Sequence, residues 1–351
     1  MNGQILYDIF FSLAIILLVP FLIQMGRKSK KVGNIEGVYN SITGSILLIF
    51  ITILYLVMSF IGSPIIVYPF NVLLNIWVVM VLAVQGIYII KKKRVNIQNN
   101  NPQFVKNKDF TFFHEIQRKV THLVGLLLIA CYFWISAPVF SMVQLMIIQF
   151  ESIGANIWGI IMIHISLAYI PQMISIFSIF CALYLMTIPD IIRVYNFKAS
   201  IFKKFADIMR EKERNAVGPH ICLMIGCLIP MLLIPNYLIS IAGVVIAVFS
   251  DAAASLFGRK FGGNFLKWKF PFAKRTGKSY EGLIGGFLIA FLLPLPILLW
   301  GFNIGMSLIL ALIGAIVVSI IDIITPLITD NFLNPIFASF TMFGVYLLLI
   351  I

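Results

Sequence analysis

Apolar residues run along this chain in blocks of about 16 to 24, separated by short polar clusters. The blocks fall at 8–25, 38–61, 69–90, 120–140, 165–188, 219–234, 237–257, 282–300, 303–324 and 332–351. Helices of that length span a hydrocarbon core about 30 Å thick at about 1.5 Å per residue. Strand-like alternation in segments of about ten is missing, which excludes an outer-membrane barrel. The pattern therefore predicts an all-α fold, a polytopic transmembrane helix bundle of about ten spans. Block 219–234 is short and contains Pro230, so it reads as a tilted or re-entrant element before a turn at Pro235-Asn236. The apolar stretch around Glu151 reads as non-crossing. Block 8–25 follows no basic segment and no small-residue cleavage pattern, so it reads as a retained helix. Residues 91–109 are basic and Asn-rich with Pro102, as in a linker. They suggest an N-terminal three-helix region (1–95), a polar linker (96–111) and a larger membrane domain (112–351).

Composition agrees: 61% of residues are hydrophobic, 11% are charged and the mean hydropathy is +1.02, too little polar surface for water-soluble domains. The formal net charge of +13 would suit nucleic acid, but all 26 Lys and Arg fall in five segments, 27–31, 91–94, 106–119, 193–214 and 259–278. Basic clusters between apolar blocks follow the positive-inside rule, so the partner is the lipid bilayer and not nucleic acid. Crossing parity puts all five segments on the cytoplasmic side and both termini on the other. Cys131, Cys181, Cys222 and Cys227 lie in apolar runs without metal-ligand spacing and read as core or lipid-facing side chains. No internal repeat supports a transporter built from duplicated halves.

Ionisable groups in or beside membrane helices cost about 2.5 to 3.5 kcal/mol each at mid-bilayer, so their positions carry information. Helical spacing in 114–122 aligns Glu115, Arg118, Lys119 and His122 on one stripe, either a site or a juxtamembrane basic anchor. Asp251, Ser255, Gly258 and Gly262 lie on successive turns, followed by Arg259 and Lys260. That is a carboxylate beside small residues where a helix backbone or a phosphate can approach closely. Lys274, Arg275, Lys278, Ser279 and Glu281 precede the next helix, whose N-terminus favours anions, although a plain positive-inside loop also accounts for the cations. The spacing of a P-loop is absent. Asp322 closes an apolar helix, and Asp330, Asn331 and Pro335 follow, in a turn that parity returns to the same face. Carboxylates beside Lys, Arg and Gly suit phosphate chemistry assisted by Mg²⁺. His164, Gln172 and His220 either line a lipid-alcohol pocket or hydrogen-bond a neighbouring helix.

Together these segments resemble the family of dolichol kinase, phytol kinase and CTP-dependent diacylglycerol kinase, related to the phosphatidate cytidylyltransferases. The resemblance covers about residues 112 to 351. It rests on Glu115, Arg118, Lys119 and His122; on Asp251, Ala254, Gly258 and Gly262; on Lys278, Ser279, Glu281 and Gly282; and on Asp322, Asp330, Asn331 and Pro335. The long acidic and Gly-His-Gly-Gly signature of the cytidylyltransferases is absent, which favours the kinase branch. The resemblance implies transfer of the γ-phosphoryl group of CTP to a polyprenol, a phytol-like isoprenoid or diacylglycerol, with Mg²⁺. On that reading Asp251 and Asp330 hold the metal, and Arg259, Lys260, Lys274 and Lys278 hold triphosphate oxygens. Glu281 orients Lys278 or binds metal, and His122 or Asp322 accepts the hydroxyl proton. Arg118, Lys119, Gly258, Gly262, Ser279 and Asn331 complete the nucleotide site. The alternatives are a phosphatidate cytidylyltransferase making a CDP-lipid and a transporter or lipid-binding scaffold.

Overall fold

The computed structural model describes residues 2–95, 116, 131–139, 141–142, 145, 149, 169–195, 215–263, 278–324 and 327–351. Over these residues the fold is helical, with eight elements long and apolar enough to cross a membrane, as in a multi-pass integral membrane protein. The blocks expected at 38–61, 69–90, 165–188, 237–257, 303–324 and 332–351 are α3 (Ile35–Phe60), α4 (Phe70–Val95), α5 (Ile170–Tyr195), α7 (Tyr237–Phe261), α10 (Ile304–Ile324) and α11 (Asp330–Ile350). The expectation at 282–300 is met by α8 (Tyr280–Leu292) and α9 (Leu295–Leu299), which break around Pro294.

The first block starts earlier and runs longer than its hydrophobic pattern marks. It forms α1 (Asn2–Ile16) and α2 (Leu18–Lys31), interrupted at Leu17. Pro20 lies in the first turn of α2, where its ring crowds the carbonyl four residues back and the chain cannot continue as one regular helix. The 219–234 block is α6 (Pro219–Leu233), whose 15 residues reach only about 22 Å. Of block 120–140 only 131–139 are described, opening with a π-helical turn at Cys131–Ile135 and continuing as helix. The 96–111 linker and almost all of the stretch around Glu151 lie outside them too.

Buried aromatic and branched side chains join α1 to α6 in one core, where the Phe11 ring meets Phe180 at 5.0 Å and Tyr55 at 5.4 Å. The second core, between α7, α8, α9, α10 and α11, sets the alanines Ala242, Ala290, Ala311, Ala315 and Ala338 among Ile239, Ile246, Leu298, Leu310, Val318 and Met342. In α10 the buried positions are Ser307, Leu310, Ala311, Gly314, Ala315, Val318 and Asp322, while Leu308, Ile309, Leu312, Ile316 and Ile320 are exposed. Most bulky residues thus point outward and most inward positions are small, which lets helix backbones approach and places Asp322 on the interior face.

Backbone groups left over at helix ends have no water to turn to inside a bilayer. Gln172 Nε2 donates to the Met231 carbonyl at 2.8 Å and Ser240 Oγ to the Pro230 carbonyl at 3.0 Å, both at the C-terminal end of α6. Of the two roles open to Gln172, helix bonding is the one the fold uses. Asn236 caps α7 by accepting from the Ile239 N–H at 3.3 Å, so the turn falls at Pro235-Asn236 as expected. Gly33, with φ of 73°, adopts the left-handed turn that joins α2 to α3.

Candidate functional site

The site forms where the C-terminal ends of α7 and α10 meet the N-terminal ends of α8 and α11. Ser279 starts α8 by accepting the Gly282 N–H at 3.1 Å, which fixes Lys278 one residue outside the helix. Lys278 Nζ then donates to Asp322 Oδ1 at 2.8 Å, with one third of the Lys278 side chain exposed and Asp322 buried. Asp330 and Asp251 act on the same ammonium electrostatically, so carboxylates from α7, α10 and α11 converge on one cation. Burial disfavours the Lys278 charge, but these carboxylates outweigh it and hold the ammonium above the ordinary lysine value.

Other expected site residues settle nearby in distinct roles. Glu281 Oε1 accepts the Gly263 N–H at 3.3 Å, joining the start of α8 to the residue just beyond α7. Among the described residues the side chain bonded to Lys278 Nζ is Asp322. Glu281 is in the first turn of α8 and reaches back along α7, whereas Lys278 precedes the cap and meets α10.

Gly258 and Gly262 line a close contact between the end of α7 and the start of α8. A Cβ at Gly258 would lie 3.0 Å from Ser279 Oγ and 3.5 Å from Gly282 Cα, and one at Gly262 would lie 2.8 Å from Ser279 Oγ. Gly282 faces the Ala254 carbonyl in the same seam. Of the two readings the sequence left open for this stripe, a neighbouring backbone occupies it.

Arg259 and Lys260 are exposed at the end of α7, with Lys260 Nζ 5.2 Å from the Phe261 ring centre. Asn331 is buried, and its Nδ2 donates to Thr329 Oγ1 at 3.2 Å. Thr329 Oγ1 in turn donates to Asp330 Oδ1 at 3.2 Å. Glu115, Arg118, Lys119, His122, His164 and Lys274 lie outside the described residues.

Mg²⁺ is usually held by one or two carboxylates, with waters and phosphate oxygens completing its shell. Asp251 and Asp330 are hard oxygen donors of that kind, and both act electrostatically on Lys278. Among the described residues no group of three or more His, Cys, Asp or Glu forms a protein-only metal cage.

Two buried acidic clusters were not singled out by the sequence reading. Asp190 and Arg193 on α5 form an ion pair at 2.7 Å with neither side chain exposed; Asp190 also accepts the Gly218 N–H, and Arg193 donates to the Ala216 carbonyl. Arg193 is therefore interior, although it opens the basic 193–214 segment. His220 is buried close enough to feel both charges. Asp8 on α1 is buried and accepts hydrogen bonds from Gln4, Tyr55, Ser59 and Asn71. A carboxylate in or immediately beside an apolar block was the available signal for both.

No family model, no curated protein and no solved structure matches the chain. Fold and sequence define its class, an all-helical multi-pass membrane protein, and no family is assigned.

Proposed function

We propose that this protein is an integral membrane lipid kinase that transfers the γ-phosphoryl group of CTP to the hydroxyl of a long-chain lipid alcohol. The acceptor class is a polyprenol such as dolichol, a phytol-like isoprenoid, or diacylglycerol. The reading is carried by one observation: Asp322 bonds the Lys278 ammonium, and Asp330 and Asp251, from two further helices, act on its charge electrostatically. The motif resemblance over 112–351 supplies the choice of CTP and lipid alcohol.

In this reading the alcohol oxygen bonds to the γ-phosphorus, the bond from that phosphorus to the CDP oxygen breaks, and the hydroxyl proton passes to His122 or Asp322. Lys278, held in place by Asp322, faces the phosphate oxygens together with Arg259, Lys260 and Lys274. Asp251 and Asp330 are the residues that would hold Mg²⁺, which would supply positive charge to offset that of the phosphates. The site is assigned to the cytoplasmic face of a bundle of about ten spans with both termini outside, because the basic segments flank the same helix ends.

The test is phosphoryl transfer by purified protein given Mg²⁺, γ-labelled CTP and each acceptor class, beside Asp251→Asn. Labelled lipid from the wild type and none from a folded variant is the expected result. Turnover by Asp251→Asn at the wild-type rate removes the metal role.

A further inference from the structure

The motif resemblance leaves the N-terminal helices without a role, yet they reach the candidate site directly. Lys28 Nζ donates to the Val194 carbonyl at 2.6 Å and Ser29 Oγ to the Asn215 carbonyl at 2.6 Å, which docks the end of α2 against the end of α5 and the segment before α6. One turn into α3, Asn40 Oδ1 accepts the Thr329 N–H at 2.8 Å. Thr329 is the N-cap of α11; its hydroxyl donates to Asp330 Oδ1 and accepts from the Asn331 side chain. Further along the same face, Gly44 leaves room for the Phe332 ring, which a Cβ would approach to 3.3 Å.

We propose that Asn40 is a positioning residue for Asp330: by fixing the Thr329 backbone it sets the hydroxyl that orients the Asp330 carboxylate toward Lys278. The inference rests on the lipid kinase reading for what Asp330 does, but not for the contact itself. Thr329 sits in a non-helical turn with φ of −59° and ψ of 140°, and its N–H is held by Asn40. The acceptor comes from a helix 289 residues away in sequence. The N-terminal helices thereby become part of the site instead of an appended anchor. Partners that orient a metal-binding carboxylate change metal affinity by about 10- to 100-fold when removed. Asn40 acts through one intervening residue, so the lower end of that range applies.

The experiment compares wild type, Asn40→Leu, which keeps the volume without the acceptor, and Asn40→Asp, which keeps an oxygen there. Two readouts are taken on full-length protein in detergent: amide exchange of a peptide covering 327–333, and the Mg²⁺ concentration giving half-maximal CTP-dependent turnover. Asn40→Leu is expected to speed exchange at Thr329 and raise the Mg²⁺ requirement about 10-fold at unchanged lipid KM. Asn40→Asp is expected to recover much of both. Unchanged exchange in Asn40→Leu overturns the proposal, as does faster exchange with a wild-type Mg²⁺ requirement, or an equal rise in lipid KM. Absence of CTP turnover in the wild type removes the kinase reading and with it the assigned role of Asp330, while the exchange result still decides whether Asn40 orders this turn.

Discussion

Lys278 Nζ stands 2.8 Å from Asp322 Oδ1, bonding the residue before the α8 cap to the last turn of α10. The contact closes the end of a helix group whose apolar interior mixes alanines with Ile239, Ile246, Leu310, Val318 and Met342. Asp322 faces that interior because α10 turns most of its bulky side chains outward. Lys278 reaches it because the Ser279 cap stops the helix one residue short of it.

Removing the cation leaves the Asp322 carboxylate buried without its partner. Lys278→Met is expected to cost about 1–3 kcal/mol, less than a fully buried pair, because part of the lysine meets solvent. Turnover is expected to fall at least about 100-fold, the scale of losing one charge-stabilising donor. Lys278→Met/Asp322→Leu is expected to regain stability but not turnover. Denaturation midpoints in detergent, set beside initial rates, separate the two effects.

The same pair gives a pH dependence of known sign. The Lys278 ammonium is held above the ordinary lysine value of 10.5, so its contribution to stability is complete below that pH. It is lost as pH rises through the elevated folded-state value. Thermal midpoints measured from pH 8 into the strongly alkaline range are expected to show the gap between wild type and Lys278→Met closing above about pH 10.5. A gap that stays constant across that window contradicts the assignment.

A methyl group at Gly282 would lie 2.7 Å from the Ala254 carbonyl oxygen and 3.1 Å from Gly258 Cα, both backbone atoms that cannot rotate away. Gly282→Ala is therefore expected to push α8 off α7 at a cost of about 1–3 kcal/mol, with loss of turnover. Gly344→Ala on α11 meets nothing within 4 Å and is expected to be neutral or to stabilise by about 0.5–1 kcal/mol. Comparing the two unfolding midpoints checks the seam without relying on activity.

Arg193 lies fully inside the fold, bonded through Nε to Asp190 and through Nη2 to the Ala216 carbonyl. Arg193→Met is expected to destabilise by about 3–5 kcal/mol because Asp190 stays buried. Arg193→Lys is expected to recover only part of that, since an ammonium cannot reproduce the two-direction fork. Equal stability of Arg193→Lys and wild type in urea titrations would contradict the geometry.

Much of the helical plan is legible from local pattern, because lipid imposes long apolar runs and basic residues mark their ends. Alternating small and bulky positions in α10 even mark the face that carries Asp322. The break at Leu17 was also written in the chain, through Pro20, although the hydrophobic pattern alone ran past it. Partners were not legible. Lys278 and Asp322 are 44 residues apart, and nothing in the spacing of the 278–282 motif singles out Asp322 as a group it bonds. Asp8 and Asp190 were visible as carboxylates in or immediately beside apolar blocks, but their donors come largely from other helices and from main chain. Asn40 gives no local signal, since its acceptor role exists only once α3 packs beside the start of α11.

The central claim is that the carboxylates and cations at these four helix ends handle a nucleoside triphosphate beside a lipid. Its most direct measurement uses purified protein with Mg²⁺ and lipid acceptors, supplied in parallel with CTP labelled at the α or the γ phosphorus. The account predicts lipid carrying γ label, absent from Lys278→Met. Lipid carrying α label would instead mark a cytidylyltransferase, and no label on any acceptor from folded protein would contradict the account.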